Sequence, residues 1–331
     1  MLLAIRVSGY VRTGLSRENL ESEAVTLRCF GNINALAVLA GAILPLFSQA
    51  PRPTIKNVFW QPNELQQGSV VFNTVEIERV PLRLTGKLGD KSLAFFKSDD
   101  PKMWYALAGL DLETQPGDYN LTVAAVMPGG RVTRSLKKME IKAANFGTGE
   151  ANVAENFVEP DAASKKKIAA DQILKSRAFS HLISTPQWSG DFVPPVQGKA
   201  TNTFGMTRMF NEELTSTHRG TDFLVTEGSP VVVSNSGTVV LAKELFYEGY
   251  CVIVDHGQRF FTIYMHLSKV EVKPGDKLRK GERLGLSGQT GRVTGPHLHM
   301  GVRWNGAYLD PTKLLALTLP KLSPETRNAR R

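Results

Sequence analysis

The apolar residues of the chain fall mostly in short runs separated by Gly-, Pro- and Asp-rich turns, rather than in long stripes of helical period. Several runs alternate apolar with polar residues, which places their side chains on the two faces of a β-strand. Such runs occupy residues 51–145 and 191–317, and the stretch between them is more helix-like. The pattern predicts a mostly β chain with an N-terminal β module, a partly helical connector over 146–190 and a C-terminal antiparallel β domain.

The N-terminal module is predicted from four runs and the turns between them. The runs are VEIERVPLRL, MWYALAGLDL, DYNLTVAAVM and KKMEIKA, and the turns include GKLGDK, QPGD and MPGG. Several short strands at this spacing predict a small β-sandwich of immunoglobulin-like type over residues 51–145. No motif in this module indicates catalysis.

The connector begins with small and polar residues and becomes helix-like from about Pro160. An early proline, with Asp161 near the start, is typical of a helix N-terminus. We interpret the lysine run over 165–167 as one solvated face of that helix. The connector is expected to link the two β parts or to pack between them, and the short basic segment 318–331 is predicted to be a disordered tail.

The first 50 residues have the pattern of a leader. An apolar stretch over residues 33–47 follows Arg28 and precedes small residues at the −3 and −1 positions of a cleavage after Ala50. The stretch is shorter than the about 20 residues that a membrane span needs. A cleaved signal peptide is therefore predicted, with an uncleaved single-span anchor as the alternative. The segment before the stretch is long for an n-region, so we expect a translation start downstream of Met1.

Length and cysteine content agree with a secreted protein of about two domains. The chain has 331 residues, 42% of them hydrophobic, which is enough to bury substantial cores. Of its two cysteines, Cys29 lies in the leader and Cys251 lies in the strand-like sequence CVIVDH. We expect Cys251 to be a small core residue and the mature protein to have no internal disulfide.

Four of the six histidines lie in short sequences with recognisable chemistry. In THRGTDF, His218 precedes Asp222 by four positions, and the central glycine with the following FLV predicts a turn that leads into a strand. The β-branched and aromatic sequence FFTIYMHLSKV predicts a strand that ends at His266. In GPHLHMGV, a strand would place His297 and His299 on one face, because side chains at i and i+2 share a face.

Each of these histidines alone would more often be a satisfied structural residue. Together they suit zinc, which in catalytic sites takes three nitrogen or oxygen ligands from the protein and keeps a fourth position for water. Histidines that are not ligands can transfer protons and stabilise an oxyanion, since imidazole titrates near neutral pH. The sequence has no H-E-x-x-H motif, so a histidine must replace the glutamate base of helical zinc proteases.

At this point the motifs resemble a known family. H-x-x-x-D at His218 and Asp222, Y-x-H-L at 264–267 and T-G-P-H-L-H at 294–299 resemble the lysostaphin-type, or LytM-type, zinc metalloendopeptidases of bacterial cell walls. The resemblance covers roughly residues 192–315 and continues in FGMTR, VIVDHG and VKPGDKLRKGERLGLSGQTG.

The resemblance implies a role for each candidate site residue. His218, Asp222 and His299 would be the ligands of Zn²⁺, and His266 and His297 would be the unliganded catalytic pair. The implied activity is hydrolysis of peptide bonds in peptidoglycan stems or cross-links. Some proteins of this type carry an Ig-like module before the peptidase domain, where it would position or bind. The sequence does not distinguish D-Ala to diaminopimelate cross-links from glycine bridges.

Other functions have less support. A LytM-type domain that only binds cell wall and regulates another hydrolase should lack a metal or catalytic residue, and all five are present here. A purely adhesive surface protein leaves the ordered motifs unexplained. Phosphate-loop, dinucleotide and G-x-S-x-G motifs are absent from the sequence. We expect His256 to have a structural role in a turn, and His181 to be a structural residue beside a helix end.

The charge of the chain indicates an anionic partner. The formal net charge is +9, and removal of residues 1–50, with four Arg and three Glu, leaves +8. A basic exported protein suits an anionic polymer such as peptidoglycan, and we expect a periplasmic or cell-envelope location. Nucleic acid is not expected as a partner, because helix-turn-helix, stacking and zinc-finger signatures are absent. A membrane contact is expected only through an uncleaved leader, and the sequence does not indicate an oligomeric state.

Overall fold

A computed structural model of the protein describes residues 54–212 and 214–328. The predicted leader, over residues 1–50, lies outside the described residues. Among the described helices, none combines the length and the apolar character that a membrane crossing requires.

Residues 55–142 form two sheets whose facing sides share one hydrophobic core. The strands are β1 (Ile55–Gln61), β2 (Leu65–Gln66), β3 (Val70–Ile77), β4 (Arg83–Leu88), β5 (Lys91–Leu93), β6 (Phe96–Lys97), β7 (Met103–Gly109), β8 (Gly117–Val126) and β9 (Val132–Lys142). One sheet has the order β1-β3-β7-β6 and the other has the order β2-β9-β8-β4-β5. In β8 the buried residues Leu121, Val123 and Ala125 alternate with more exposed ones, as the sequence pattern predicted. The β-sandwich is thus present, and its immunoglobulin-like connectivity stays a prediction.

The connector contains the predicted helix and a strand that the pattern did not predict. Its elements are β10 (Thr148–Ala151), a 3₁₀ helix (Glu155–Phe157) and α1 (Ala162–Ser180). Asp161 caps α1, because its side chain accepts a hydrogen bond of 2.7 Å from the backbone N–H of Ser164. Ala178 of α1 is buried against Leu241 and Ile253 in a second hydrophobic core. The helix therefore packs on the face of the C-terminal sheet rather than between the two β parts.

The C-terminal part is built on a ten-stranded sheet, as the predicted antiparallel β domain requires. Its strands, with the separate hairpin β12–β13, are β11 (Lys199–Ala200), β12 (Thr207–Phe210), β13 (Leu214–Thr217), β14 (Thr221–Leu224), β15 (Pro230–Val232), β16 (Gly237–Leu245), β17 (Gly249–Asp255), β18 (Phe260–Val270), β19 (Lys277–Leu278), β20 (Arg283–Ser287), β21 (Leu298–Trp304) and β22 (Ala307–Leu309). The main order is β11-β14-β21-β18-β17-β16-β19, and β10 joins β12 and β13 in a small third sheet.

The N-terminal sandwich and the C-terminal part share a continuous core. Trp188 is fully buried, with its ring centroid 6.3 Å from that of Phe72 and 5.8 Å from that of Phe96. Gly109 lies so close to Leu309 that a β-carbon at this position would be 2.3 Å from a leucine methyl carbon. The described residues, 54–212 and 214–328, accordingly form one compact unit.

The expectation of a disordered tail over 318–331 is wrong for residues 318–328. After α2 (Pro311–Leu315), the chain buries Leu319 and Leu322 and forms α3 (Pro324–Asn328). The backbone N–H of Leu319 donates to Asp191 over 2.6 Å. The prediction followed from the basic residues of this segment, which favour exposure to solvent. Its leucines, however, bury apolar surface in the main core, and this burial orders the backbone.

Candidate metal centre

The three predicted metal ligands are brought together by one strand pair and the turn before it. Asp222 on β14 lies directly opposite His299 on β21, so the two side chains project from the same face of the sheet. His218 lies in the turn between β13 and β14, four residues before Asp222. All three residues are at least 92% buried, with exposed fractions of 7%, 8% and 7% for His218, Asp222 and His299.

Three ligand atoms converge on one point. His218 Nε2 lies 3.0 Å from Asp222 Oδ1 and 2.9 Å from His299 Nδ1, and the latter two atoms are 2.9 Å apart. Among the described residues, this is the group of His, Cys, Asp and Glu side chains whose geometry could hold a metal ion.

The hydrogen bonds around His218 show that the group fits a cation. His218 Nδ1 lies 2.8 Å from the carbonyl oxygen of Thr203, which can only accept, so the ring proton is on Nδ1 and Nε2 presents a lone pair. That lone pair faces a carboxylate oxygen and a second imidazole nitrogen, and one ring proton on His299 cannot satisfy all three contacts. A cation between these three atoms would replace the repulsion between their lone pairs with attraction. Two imidazoles and one carboxylate are a donor set that zinc takes in catalytic sites.

The acid–base properties of the three residues are consistent with metal ligation. Burial acts to raise the pKa of Asp222, but hydrogen bonds and charge from His218 and His299 outweigh it and hold that pKa well below its ordinary range. Burial lowers the pKa of His299 to about 4. Asp222 is therefore anionic and His299 neutral near pH 7, which are the protonation states that bind a metal.

His266 lies beside this group at an irregular point of its strand. The expectation that the strand ends at His266 is wrong, because β18 continues to Val270 and His266 lies within it at a bulge opposite β17. Its φ of 62° is in the left-handed region, which non-glycine residues rarely adopt. The backbone N–H of His266 donates to the carbonyl of Glu248 over 2.9 Å, which replaces the regular ladder contact. The bulge brings the imidazole beside the candidate metal ligand His299, and bulges are over-represented beside active sites.

His266 and His297 form a pair with similar hydrogen bonding. Their ring centroids are 5.0 Å apart, and that of His266 is 6.0 Å from that of His299. Nδ1 of His266 lies 2.8 Å from the carbonyl of Thr290, and Nδ1 of His297 lies 2.8 Å from the carbonyl of Gly295. Each Nδ1 therefore carries the proton, and each Nε2 is free to accept one. His297 Nε2 lies 3.6 Å from Asp222 Oδ1, at the edge of the metal group.

The pKa of His266 is lowered well below its ordinary value, first by burial and then by the neighbouring His299 and His297. A neutral imidazole with an unprotonated Nε2 has the form that a general base requires. The structure thus brings the five predicted site residues into one cluster.

One residue of this cluster had no predicted role. Arg208 on β12 donates from Nη2 to Asp222 Oδ2 over 2.6 Å. The guanidinium donates a hydrogen bond to the carboxylate oxygen that does not face the histidines. This bond fixes the orientation of Asp222. The signal for this residue was the FGMTR sequence, which contributed to the family resemblance without an assigned role.

The other candidates are placed away from this centre. His256 is fully buried, with Nδ1 2.8 Å from the carbonyl of Ser236 and Nε2 2.8 Å from the hydroxyl of Thr262. His181 follows α1 and lies 2.7 Å from Asp255. Cys251 is a buried free thiol in the second core. These contacts agree with the structural roles expected for the three residues.

Comparison with known proteins shows what this part of the chain is similar to. Residues 216–311 match the sequence profile described as Peptidase family M23. Over 107 residues the chain is 45% identical to the peptidoglycan DD-endopeptidase ShyA of Vibrio cholerae, a match covering 31% of this chain and 25% of ShyA. Over 112 residues it is 36% identical to the DD-carboxypeptidase/endopeptidase Mpg of Neisseria gonorrhoeae, covering 34% and 26% of the two chains. The match spans about a quarter of the length of these curated relatives.

A solved structure is similar over a longer range. The crystal structure of a peptidase M23 from Pseudomonas aeruginosa matches 76% of this chain and 96% of its own, with 26% sequence identity and a TM-score of 0.57. The C-terminal part of the chain is therefore similar in sequence and fold to the peptidase domains of family M23.

Proposed function

We propose that the protein is a zinc metalloendopeptidase that hydrolyses peptide bonds in the stems or cross-links of peptidoglycan. The observation that carries the proposal is the convergence of His218 Nε2, Asp222 Oδ1 and His299 Nδ1 within about 3 Å of one another, beside two histidines with free Nε2 atoms. The named relatives that act on peptidoglycan support the substrate class.

His218, Asp222 and His299 would hold the zinc ion. Zinc, when bound, supplies a Lewis acid that polarises a carbonyl and lowers the pKa of water toward neutrality. Arg208 would keep Asp222 in position, because it engages the other carboxylate oxygen.

The unliganded pair would carry the proton transfers. His266 Nε2 and His297 Nε2 are the acceptors for the proton of the attacking water, and the protonated imidazole then donates to the leaving amine nitrogen. The carbonyls of Thr290 and Gly295 hold the two Nδ1 protons and stabilise a positive charge on either ring. A protonated histidine of the pair can also donate to the oxyanion of the tetrahedral intermediate.

The proposal includes the setting of the reaction. The pattern of residues 1–50 supports export to the periplasm or cell envelope, and the N-terminal sandwich is proposed to position the peptidase domain on its polymer. A non-catalytic regulator is the competing function, and the presence of all five site residues disfavours it.

The test is release of soluble products from purified peptidoglycan sacculi by residues 50–331 with added zinc. Wild type should release peptide-linked fragments, whereas a chelated sample and the variant His297→Ala should not. If wild type with bound zinc releases nothing but stimulates a separate purified hydrolase, the regulatory function replaces the peptidase.

A further inference from the structure

We propose that a cleft beside α1, centred on Arg303, is a carboxylate-binding subsite for the peptide substrate. The proposal rests on the peptidase function above and adds a specificity element to it. The cleft has a volume of about 520 Å³ and lies between the second half of α1 and the strands β18, β21 and β22. We refer to it as the Arg303 cleft.

The Arg303 cleft has a surplus of positive charge. Three cationic residues, Lys175, Arg259 and Arg303, line it, and no aspartate or glutamate does. Lys175 is neutralised, because it pairs with Glu248. Arg259 and Arg303 have no side-chain hydrogen bond or ion pair with any residue in the described part of the chain. Two uncompensated guanidinium groups thus face one hollow.

Arg303 contacts two aromatic rings and has no polar side-chain partner in the described part of the chain. Its guanidinium carbon lies 4.1 Å from the ring centroid of Phe179 and 5.5 Å from that of Tyr308, so it is stacked between two aromatic side chains. Its Nε is buried and has no hydrogen-bond partner. A buried donor without a partner is unfavourable. An anion in the cleft would supply an acceptor for the rest of the guanidinium, which has none in the described part of the chain. The planar guanidinium binds a carboxylate with two parallel hydrogen bonds, which favours this anion class.

The position of Arg303 relates the cleft to the catalytic cluster. Arg303 and His299 lie on the same strand, β21, four residues apart, so their side chains share one face of the sheet. At about 3.3 Å per residue, their α-carbons are roughly 13 Å apart. Gly301 lies between them without a side chain, and Ile263 packs beside it. Ile263 is the β18 partner of Gly301, so its side chain lies on this face between the two positions.

This spacing favours a peptide as the source of the carboxylate. An extended peptide advances about 3.3–3.6 Å per residue, so a carboxylate three or four residues from the scissile bond would reach Arg303. Peptidoglycan peptides carry free carboxylates, whereas a lipid headgroup has no reason to lie at this distance from the catalytic histidines. The cleft would select substrates whose carboxylates are free rather than amidated.

The test measures binding to residues 50–331 with the metal removed by chelation, so that no cleavage occurs. The probes are a dimeric cross-linked muropeptide with free carboxylates and the same dimer with its carboxylates amidated. Wild type should bind the free form about tenfold more tightly, and Arg303→Gln should lose most of this preference. Arg259→Gln, on an exposed residue, should lose part of it. Arg279→Gln, at an exposed arginine elsewhere, is the matched control and should retain it.

Equal affinity of wild type for the two dimers would overturn the proposal even if Arg303→Gln failed to fold. Unchanged preference in a folded Arg303→Gln variant would overturn it as well. Loss of binding to phosphatidylglycerol vesicles in this variant, without an effect on the free dimer, would assign the cleft to lipid instead. Arg303-dependent binding without zinc-dependent cleavage would leave the subsite standing and remove the peptidase. Zinc-dependent cleavage that is equal in wild type and Arg303→Gln would support the peptidase and remove the subsite.

Discussion

Arg208 donates to Asp222 Oδ2 over 2.6 Å, while Asp222 Oδ1 faces His218 and His299. The arginine therefore separates the two carboxylate oxygens into one that is held by the protein and one that is directed at the metal position. Arg208 lies on β12, where its strand partner is Gly149 of β10. The connector thus supports, through one strand pair, the residue that orients Asp222, a proposed metal ligand.

Replacement of Arg208 should weaken metal binding. In Arg208→Met, Asp222 loses its partner and can rotate, and we expect zinc affinity to fall by about 10–100-fold, as for other groups that orient metal ligands. Competition with a chromogenic chelator measures this affinity. Arg208→Lys should recover only part of it, because a lysine does not reproduce the planar guanidinium. Equal affinity in all three proteins would show that Arg208 does not position Asp222.

Variants of the unliganded histidines and of the ligand histidine should have different effects on metal content. His266→Ala and His297→Ala should retain zinc, since neither supplies a ligand atom, and should lose about 10²–10⁴-fold in turnover with the loss of proton transfer. His299→Ala should lose the metal itself, because one of three ligand atoms is gone. Metal content by elemental analysis, beside turnover, distinguishes these outcomes. Loss of zinc from His297→Ala would contradict the assignment of the pair.

The bulge that positions His266 depends on a close approach at Gly249. Gly249 has a φ of +60°, and a β-carbon there would lie 2.4 Å from the backbone carbon of Thr290, whose carbonyl accepts from His266. We expect Gly249→Ala to lower the free energy of unfolding by more than about 2 kcal/mol and to reduce turnover, because Thr290 must move. Gly228→Ala is the matched control. Gly228 has a φ of +82° and open space around it, so this change should cost only the backbone strain, about 1 kcal/mol, and leave turnover unchanged.

His256 should make stability depend on pH. Burial lowers its pKa to about 4 in the folded chain, against an ordinary value of about 6.5. The unfolded chain therefore binds a proton at higher pH than the folded chain, and this contribution to stability is present above about pH 6.5 and is lost as the pH falls toward 4. Between pH 7 and about pH 4.5 the loss should be about 2–3 kcal/mol. Denaturant unfolding of wild type and His256→Gln at both pH values measures it, and parallel pH dependences would contradict the account.

A fragment that starts at residue 191 should be less stable than residues 50–331 and should bind zinc more weakly. It lacks α1, the strand β10 beside β12, and Trp188, whose ring packs with Phe72 and Phe96 of the sandwich. Removal of these elements exposes part of the shared core. Thermal unfolding and zinc titration of the two proteins test the expectation. A fragment with the stability and affinity of the longer protein would show that the two parts are independent.

The sequence could assign the candidate ligands to turns and strands because strand periodicity and short motifs are local. His297 and His299 share their segment, and the H-x-x-x-D spacing covers one turn and the start of a strand. The pairing of Asp222 with His299 depends on a strand register between segments 77 positions apart, which the residues alone do not encode. The resemblance to a family supplied that step.

The features that were missed depend on contacts distant in sequence. The bulge at His266 is maintained by Glu248 and Thr290, so the run FFTIYMHLSKV could not reveal it. Arg208 comes near Asp222 only because β12 is held between β10 and β13. The terminal segment is ordered by the burial of Leu319 and Leu322, which its basic composition obscured.

The central claim is tested most directly by mass spectrometry of one defined substrate, a purified muropeptide dimer joined by a D-alanyl cross-link, incubated with zinc-loaded residues 50–331. The account predicts that wild type converts the dimer into two peptides with a new carboxyl and a new amino terminus at one bond, and that the zinc-loaded variant His297→Ala leaves it intact. An intact dimer after incubation with wild type of confirmed zinc content, together with intact glycine-bridged dimer under the same conditions, would contradict the claim.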